Sequence, residues 1–252
     1  MSLKYPDENI SAIVIAYNAE LTINKIIKDI PRDYVDNIIV GDDDSSDETF
    51  ELLKGFKDII IHKNHKNQGM GGNLKSLMNI AIERNSDVVI QLHGDNQYDA
   101  TKIPELLDEL FSNNADMVLG SRILGGEYLK GGGPIWKYFG NHFLNFIQNS
   151  IYRLNLSDYA TGYKVYNANA LKKIPFNSNR DDFIFDEQIN NQFVFFGYRL
   201  SQVGIPTRYF EDASSVNLTT SIHYGIWTLI SVFQFLIAKL TNFRPSHLRQ
   251  KD

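Results

Sequence analysis

Residues 10–48 read ISAIVIAYNAELTINKIIKDIPRDYVDNIIVGDDDSSDE, and the order of textures in this stretch decides the fold. Ile10 to Ala16 is an unbroken apolar run, as expected of a strand buried on both faces. Glu20 to Ile30 carries apolar residues at helical spacing and stops at Pro31. Asn37 to Val40 is a second short apolar strand. Strand, helix and strand in this order make a βαβ crossover with parallel strands.

The alternation continues outward. Asp47 to Phe56 reads as a helix, Asp58 to Ile61 as a strand, and Gly69 to Arg84 as a helix with Leu74, Leu77, Met78 and Ala81 on one face. Asp87 to Leu92 reads as a strand, Pro104 to Phe111 as a helix and Asp116 to Leu119 as a strand. The class is therefore α/β, with a mostly parallel central sheet and helices on both faces. Ligands of such sheets bind at the carboxyl ends of the strands. Polar and glycine residues gather there: Tyr17-Asn18, Asp42-Asp43-Asp44, His62 to Gly72, His93-Gly94-Asp95 and Gly120-Ser121-Arg122. The second half is less regular. Gly125 to Gly133 holds five glycines and reads as a flexible loop. Trp136 to Tyr152, Ile184 to Phe196 and Ser221 to Leu240 read as helices, Arg199 to Ile205 as a strand, and Arg244, Arg249 and Lys251 form a basic tail.

Composition narrows the class of function. The chain has 252 residues, 43% hydrophobic and 22% charged, which excludes a disordered chain. Its net charge of −5 argues against a nucleic-acid binder. It has no cysteine, so disulfides, thiolate nucleophiles and cysteine zinc sites are excluded. Met1 to Asn9 is polar and does not read as a signal peptide. The longest uncharged apolar stretch, Tyr224 to Ala238, falls short of the roughly 20 residues that span a bilayer.

Three strand ends carry chemistry. In Val40 to Thr49, three consecutive carboxylates repel one another unless a cation, a ligand donor or a helix start offsets them. Helix capping accounts for Ser46, Asp47 and Glu48. It leaves Asp42 and Asp43 as acceptors for a base N–H or a ribose hydroxyl. In Gln91 to Asp99, Asp95 and Gln97 are oxygen donors of the kind that share a hard cation with substrate phosphates. His93 is a nitrogen donor suited to Mn²⁺, or equally a donor to a phosphate or backbone group. Asn67 to Asn73 is a glycine-rich helix entry whose N–H groups suit a phosphate or sugar oxygen.

Together these segments resemble the family 2 glycosyltransferases with the GT-A (Rossmann-like) nucleotide-diphospho-sugar transferase fold. The resemblance rests on Ala16-Tyr17-Asn18-Ala19-Glu20, Asp42-Asp43-Asp44-Ser45-Ser46-Asp47, Asn67-x-Gly69-x-Gly71, Gly94-Asp95-x-Gln97 and Gly120-Ser121-Arg122, in that order. It covers roughly residues 9 to 212 and looks like the branch of dolichyl-phosphate mannose and polyprenyl-phosphate sugar synthases. It implies an inverting transfer of a sugar from a nucleotide-diphosphate donor to a polyprenyl phosphate or a glycan precursor, as in cell-envelope glycan synthesis. It implies that Ala16, Tyr17, Glu20, Asp42 and Asp43 hold the nucleoside, with Asn67, Gly69, Gly71, His93 and Gly94 completing the donor site. The family's Asp-x-Asp motif, which holds Mg²⁺ or Mn²⁺, maps onto His93-Gly94-Asp95 with Gln97 following. Two positions depart from the family: His93 replaces the first Asp, and Asp44 stands where a glycine is usual.

The second half matches the acceptor side through Leu156 to Lys164 and Asp181 to Glu187. A hydroxyl acceptor needs a general base, for which Asp182 and Asp186 are the candidates. Both also read as helix-start residues. A lipid phosphate is already ionised and needs cations instead: Arg122, Lys164 and Arg208, with Asp158 nearby in the motif. Arg208 reads equally as a surface partner of Glu211 or Asp212. Catalysis is therefore expected of Asp95, Arg122, Asp182 and Asp186. The aromatic helices around Trp136 to Tyr152 and Trp227 to Ile237 suit a membrane surface, a homo-oligomer contact or plain core. The expected organisation is a catalytic domain over 1–212 and a C-terminal helix with a basic tail over 213–252, cytoplasmic or at the cytoplasmic face of a membrane. The alternative is a non-catalytic nucleotide-sugar-binding protein with a degenerate metal site. A pyrophosphorylase would place basic residues in the first loop, and Tyr17-Asn18-Ala19-Glu20 has none.

Overall fold

The computed structural model describes residues 4–126, 128, 134–206 and 218–250. Most of the glycine loop at 125–133, and Arg208, lie outside the described residues. Seven strands form one sheet among the described residues: β1 (Ile10–Ala16), β2 (Asn37–Asp42), β3 (Ile60–Lys63), β4 (Val88–His93), β5 (Met117–Ser121), β6 (Lys164–Asn167) and β7 (Leu200–Gly204). Their order is β3-β2-β1-β4-β6-β5-β7. The chain winds outward from β1 through β2 to β3, then returns to the other side of β1 for β4. That reversal opens a crevice at the carboxyl ends of β1, β2 and β4. The parallel register sets Ala16 beside Asp42 and Ile15 beside His93, so the candidate loops after β2 and β4 flank the end of β1 on its two sides.

The helices are α1 (Ile23–Asp29), α2 (Thr49–Leu53), α3 (Met70–Glu83), α4 (Ile103–Ser112), α5 (Ile135–Tyr152), α6 (Ala168–Lys173), α7 (Phe185–Phe195) and α8 (Leu218–Leu240). They make a core on each face of the sheet. Ala12, Val14, Val40 and Ile90 pack under Ile23, Ile26, Ile27, Leu106 and Leu107 on one side. Ile13, Ile39 and Val89 pack under Leu74, Leu77, Met78, Phe185, Ile189 and Phe193 on the other. Alternate residues of β1 thus enter opposite cores, which is why its sequence is apolar without a break.

One strand is absent from the sequence reading. β6 runs antiparallel between β4 and β5, pairing Gln91 with Lys164 and Leu119 with Lys164 on its two sides. It is four residues long and opens on a lysine, so neither its length nor its pattern signals a strand. The acceptor-side motif therefore runs directly into the centre of the sheet.

α8 is 23 residues long, beyond the apolar stretch at 224–238, and is long and apolar enough by length and composition to cross a membrane. Its Val232 and Phe235 nevertheless join the core beneath α7. α7 is buried along nearly its whole length despite six polar residues. Their amide nitrogens are satisfied: Asn190 Nδ2 donates to Tyr159 O, Asn191 Nδ2 to Ser231 O, and Gln192 Nε2 to His247 O at 2.6 Å, while Asn190 Oδ1 and Asn191 Oδ1 have no partner among the described residues.

Glu187, fully buried on α7, accepts from Gln148 Nε2 at 2.8 Å and from the Tyr152 hydroxyl at 3.2 Å. Burial pushes its carboxyl up to about 8, against 4.5 in a free chain. Between those values the folded protein holds a proton that the unfolded chain releases, so stability falls as pH rises through the window. Buried His247 acts in the opposite sense, because burial lowers its imidazole to about 4, but it does so only below its ordinary 6.5. From pH 6.5 to 8.5 the wild type is therefore expected to lose about 2 kcal/mol that Glu187→Gln retains. Urea unfolding of both proteins at the two pH values measures this. Equal slopes would place the proton elsewhere.

Candidate functional site

The expected donor side lies at the ends of β1 and β2. Asp42, the last residue of β2, is fully buried, and neither carboxylate oxygen has a partner among the described residues. An unsatisfied buried carboxylate is costly, so it calls for a donor from outside the chain. Its neighbour Asp43 plays a different part. Asp43 Oδ1 accepts from Asn64 Nδ2 at 2.7 Å and from the Gln68 backbone N–H at 2.9 Å, which pins the loop after β3. Asp44 has φ +62°, the left-handed region, which explains why a glycine suits this position.

Glu20 is engaged in the protein itself: its Oε2 accepts the Glu48 N–H at the start of α2. Asn18 Oδ1 likewise accepts the Ser46 N–H at 2.9 Å, which ties the two loops together. Ala16 is buried between them, and Tyr17 stands exposed on the rim.

At the glycine-rich entry to α3, two N–H groups are taken up within the chain. Gly72 N–H donates to Asp181 O at 3.1 Å. A Cβ on Gly69 would sit 2.6 Å from Asp181 O, and one on Gly71 would sit 2.5 Å from Arg180 O. These glycines admit the 180–182 backbone against the helix. Asn67 is exposed, and its Oδ1 accepts the Gly69 N–H in a local turn.

The end of β4 joins donor and acceptor sides. Gly94 N–H donates to Ile15 O at 2.8 Å, and the Thr22 hydroxyl donates to Gly94 O at 2.6 Å. Asp95 Oδ1 accepts the Gln97 N–H at 3.1 Å, across Asn96 at φ +57°. His93 meets Tyr98 edge-on, with centroids 5.7 Å apart. Its ring covers Gly162, where a Cβ would lie 2.5 Å from Nε2. The Tyr98 hydroxyl oxygen accepts the Gly162 N–H at 2.8 Å. His93 lines the cavity with Asp95 and Gln97, and its buried Nε2 has no hydrogen-bond partner among the described residues. Among the described residues no three His, Asp or Glu side chains cluster. Asp95, with Gln97 beside it in the cavity wall, fits a cation that shares its coordination with a diphosphate, not a self-sufficient metal cage.

A cavity of about 550 Å³ opens from these residues toward α5 and α8. Arg122, just after β5, lines it and is held flat by Asp158: Nε to Oδ2 at 2.7 Å and Nη2 to Oδ1 at 2.9 Å. Asp158 itself is buried. Lys164 does not face the cavity as an acceptor cation. It is fully buried in β6 and ion-paired with Asp186. Asp186 Oδ1 also accepts Gln91 Nε2 at 3.0 Å, while the residue contributes to the cavity wall. Asp182 pairs with Arg180 (Nη2 to Oδ2 at 2.6 Å) and accepts the Ile184 N–H, so it acts at the start of α7 and is absent from the cavity lining.

Sequence reasoning missed Lys137. It lines the cavity from α5, and burial followed by the nearby Arg122 charge lowers its pKa. The signal was present: Lys137 is the only Lys, Arg, Asp or Glu in Ile135–Tyr152. A separate polar depression of about 380 Å³ near Asp7, Glu8 and Asp87 lies at the other end of the strands, away from every motif.

Comparison with known proteins adds four findings. The family model described as "Glycosyl transferase family 2" matches residues 11–175. A UDP-N-acetylglucosamine–dolichyl-phosphate N-acetylglucosaminyltransferase of Methanococcus voltae is 26% identical over 66% of this chain and 72% of its own. An undecaprenyl-phosphate mannosyltransferase of Micrococcus luteus is 26% identical over 61% of this chain and 63% of its own. Among solved structures, glucosyl-3-phosphoglycerate synthase of Mycobacterium tuberculosis, in complex with Mn²⁺, UDP and phosphoglyceric acid, superposes with a TM-score of 0.71. It is 16% identical and covers 96% of this chain and 81% of that one.

Proposed function

The chain belongs to glycosyl transferase family 2 and is a nucleotide-sugar glycosyltransferase of the GT-A fold, and from that premise we propose that it transfers a hexose onto a polyprenyl phosphate with inversion. The observation that carries this reading is the cavity itself. Its inner end holds Asp95, Gln97, Arg122 and Lys137, and its outer end is walled by apolar residues of α5 and α8. An anionic head with an apolar chain matches both ends. The names of the two transferase relatives agree with such an acceptor.

In this reading Asp42 and the rim residue Tyr17 receive the nucleoside. Asp95 faces the diphosphate and, with Gln97, holds a divalent cation shared with it; that cation would neutralise charge on the departing nucleoside diphosphate. The acceptor phosphate oxygen attacks the anomeric carbon from the face opposite the donor. The bond from that carbon to the diphosphate oxygen breaks, and its electron pair leaves with the diphosphate. Arg122, kept planar by Asp158, and Lys137 orient the acceptor phosphate. No base is required, because the attacking oxygen is already ionised. This agrees with Asp182 and Asp186 both being tied to basic side chains. A glycan hydroxyl acceptor would need one of them released.

The outward faces of α5 and α8 bear Ile135, Phe139, Phe146, Ile222 and Phe233 in the open. We assign this face to the surface of a membrane, on the cytoplasmic side where a nucleotide donor would be met. A homodimer covering the same face is the competing occupant. Co-sedimentation with anionic phospholipid vesicles, set beside the mass in solution, separates the two.

Titration calorimetry with UDP-, GDP- and dTDP-sugars in Mn²⁺, Mg²⁺ and EDTA, followed by transfer to undecaprenyl phosphate, tests the function. Metal-dependent binding of one donor and transfer to the lipid phosphate are expected. Donor binding without turnover would favour a binding protein. Transfer only to a soluble hydroxyl sugar would replace the acceptor.

A further inference from the structure

Two glycines interrupt the apolar helices that wall the cavity. Gly140 lies in the middle of α5 and Gly225 in the first half of α8, and both line the cavity. Glycine inside a helix is less stable than alanine by roughly 0.5–1 kcal/mol. The usual reasons for tolerating that cost are missing here. Neither glycine has a left-handed backbone. A Cβ on Gly140 would meet nothing within 4 Å. A Cβ on Gly225 would touch only Leu144 Cδ1 at 3.9 Å, an ordinary contact. Among the described residues, no atom demands a glycine at either place.

The surroundings indicate what does. Gly140 stands one turn along α5 from Lys137, and Trp136, Gly140 and Phe143 share a helical face. On α8, Ile222, Gly225, Ile226 and Leu229 share another. α5 packs on α8, and the contact of Gly225 with Leu144 places it one turn of α5 beyond Gly140. The result is an apolar trough between two helices. It starts beside Arg122 and Lys137, with Asp95 and Asp186 in the same wall, and reaches the exposed Phe143 and Ile226. Arg122 and Lys137 stand close enough there to act on one anionic group, with Asp95 in place for a cation shared with the donor.

We infer that Gly140 and Gly225 are specificity-determining residues, leaving open the trough through which the acceptor's isoprenoid chain runs from the phosphate to the surface. The inference rests on the polyprenyl-phosphate reading above and adds to it the residues that admit the chain. A side chain at either position would stand in the path of the lipid without disturbing the protein.

The test compares full-length wild type with Gly140→Leu, Gly225→Leu and the two corresponding alanine variants. The acceptors are undecaprenyl phosphate in detergent micelles and isopentenyl phosphate, whose five-carbon chain is too short to run the trough. The donor is the nucleotide sugar identified by calorimetry. Leucine at either site is expected to lower kcat/KM for undecaprenyl phosphate roughly tenfold or more, mainly through KM. Isopentenyl phosphate should be affected far less, so the ratio of the two is the readout. Alanine should give a smaller loss in the same direction, which keeps the test open if a leucine variant does not fold. Melting temperatures should stay level or rise, as helix propensity improves. Leucine variants that keep the wild-type ratio overturn the trough alone. A wild type that hydrolyses its donor but glycosylates neither prenyl phosphate overturns the acceptor reading, and the trough with it.

Discussion

Asp95→Ala is expected to lower kcat for sugar transfer by roughly 10²–10³, the scale seen when one preorganised charge at a leaving group is removed. The geometry concentrates that duty on one residue. Asp42 lies a strand away at the end of β2, Asp158 is locked to Arg122, and Asp186 is locked to Lys164. His93, at the position where the family carries its first acid, turns its ring onto Gly162 and buries Nε2 there. Asp95 lines the cavity, and in the reading proposed above it is the carboxylate that meets the diphosphate. The alanine variant also loses the turn made by Asp95 Oδ1 and the Gln97 N–H, so Asp95→Asn is the sharper probe. Asparagine keeps a turn acceptor and removes the charge. Steady-state kinetics with Mn²⁺ and Mn²⁺ binding followed by electron paramagnetic resonance should both fail in Asp95→Asn. A wild-type kcat in that variant would remove Asp95 from the reaction.

Lys164→Met is expected to destabilise the protein by about 3–5 kcal/mol, the scale for leaving one partner of a buried ion pair uncompensated. Both side chains are buried. Asp186 would keep its Gln91 hydrogen bond but lose its counter-charge, and it sits next to the buried carboxyl of Glu187. Lys164 also holds the Glu187 pKa down, so its loss strengthens the proton uptake described for that residue. The double variant Lys164→Met/Asp186→Leu should recover most of the loss, because an apolar pair of similar volume replaces the ion pair. Urea denaturation of the two variants measures this. A single variant within 1 kcal/mol of wild type would show that the pair is solvated in solution.

The parts of this protein that were legible in its sequence are those where one physical demand set the pattern. β1 is apolar throughout because both of its faces are covered, and no competing reading exists for ISAIVIA. Helix capping explained Ser46, Asp47 and Glu48 and left Asp42 and Asp43 over; of these two, Asp43 is bonded within the chain, and Asp42 has no hydrogen-bond partner among the described residues. Where two demands share a signal, the reading went astray. Glycines before α3 serve an anion or a close backbone approach equally well in sequence, and the second proved correct. Lys164 reads as a cation for an acceptor phosphate because lysine is seldom buried, and its buried partner lies 22 residues later on another element. Asp182 and Glu20 are both acidic residues near helix starts, and each is bonded there. Lys137 was hidden by its apolar, aromatic neighbours, although a single charge in such a helix was itself the clue.

The insertion of β6 has a consequence for how the chain is assembled. β4 pairs with β1 on one side, within the first hundred residues, but its other neighbour arrives only with residues 164–167. During synthesis the strands β1 to β4 can join while the outer edge of β4 stays bare, a row of unpaired N–H and C=O groups. That edge is long-range in the folding sense, and closing it is slow compared with the local crossovers before it. The Asp42 side of the crevice is therefore the early half of the molecule, and the trough between α5 and α8 the late half. A nascent chain halted between them presents an open template for aggregation.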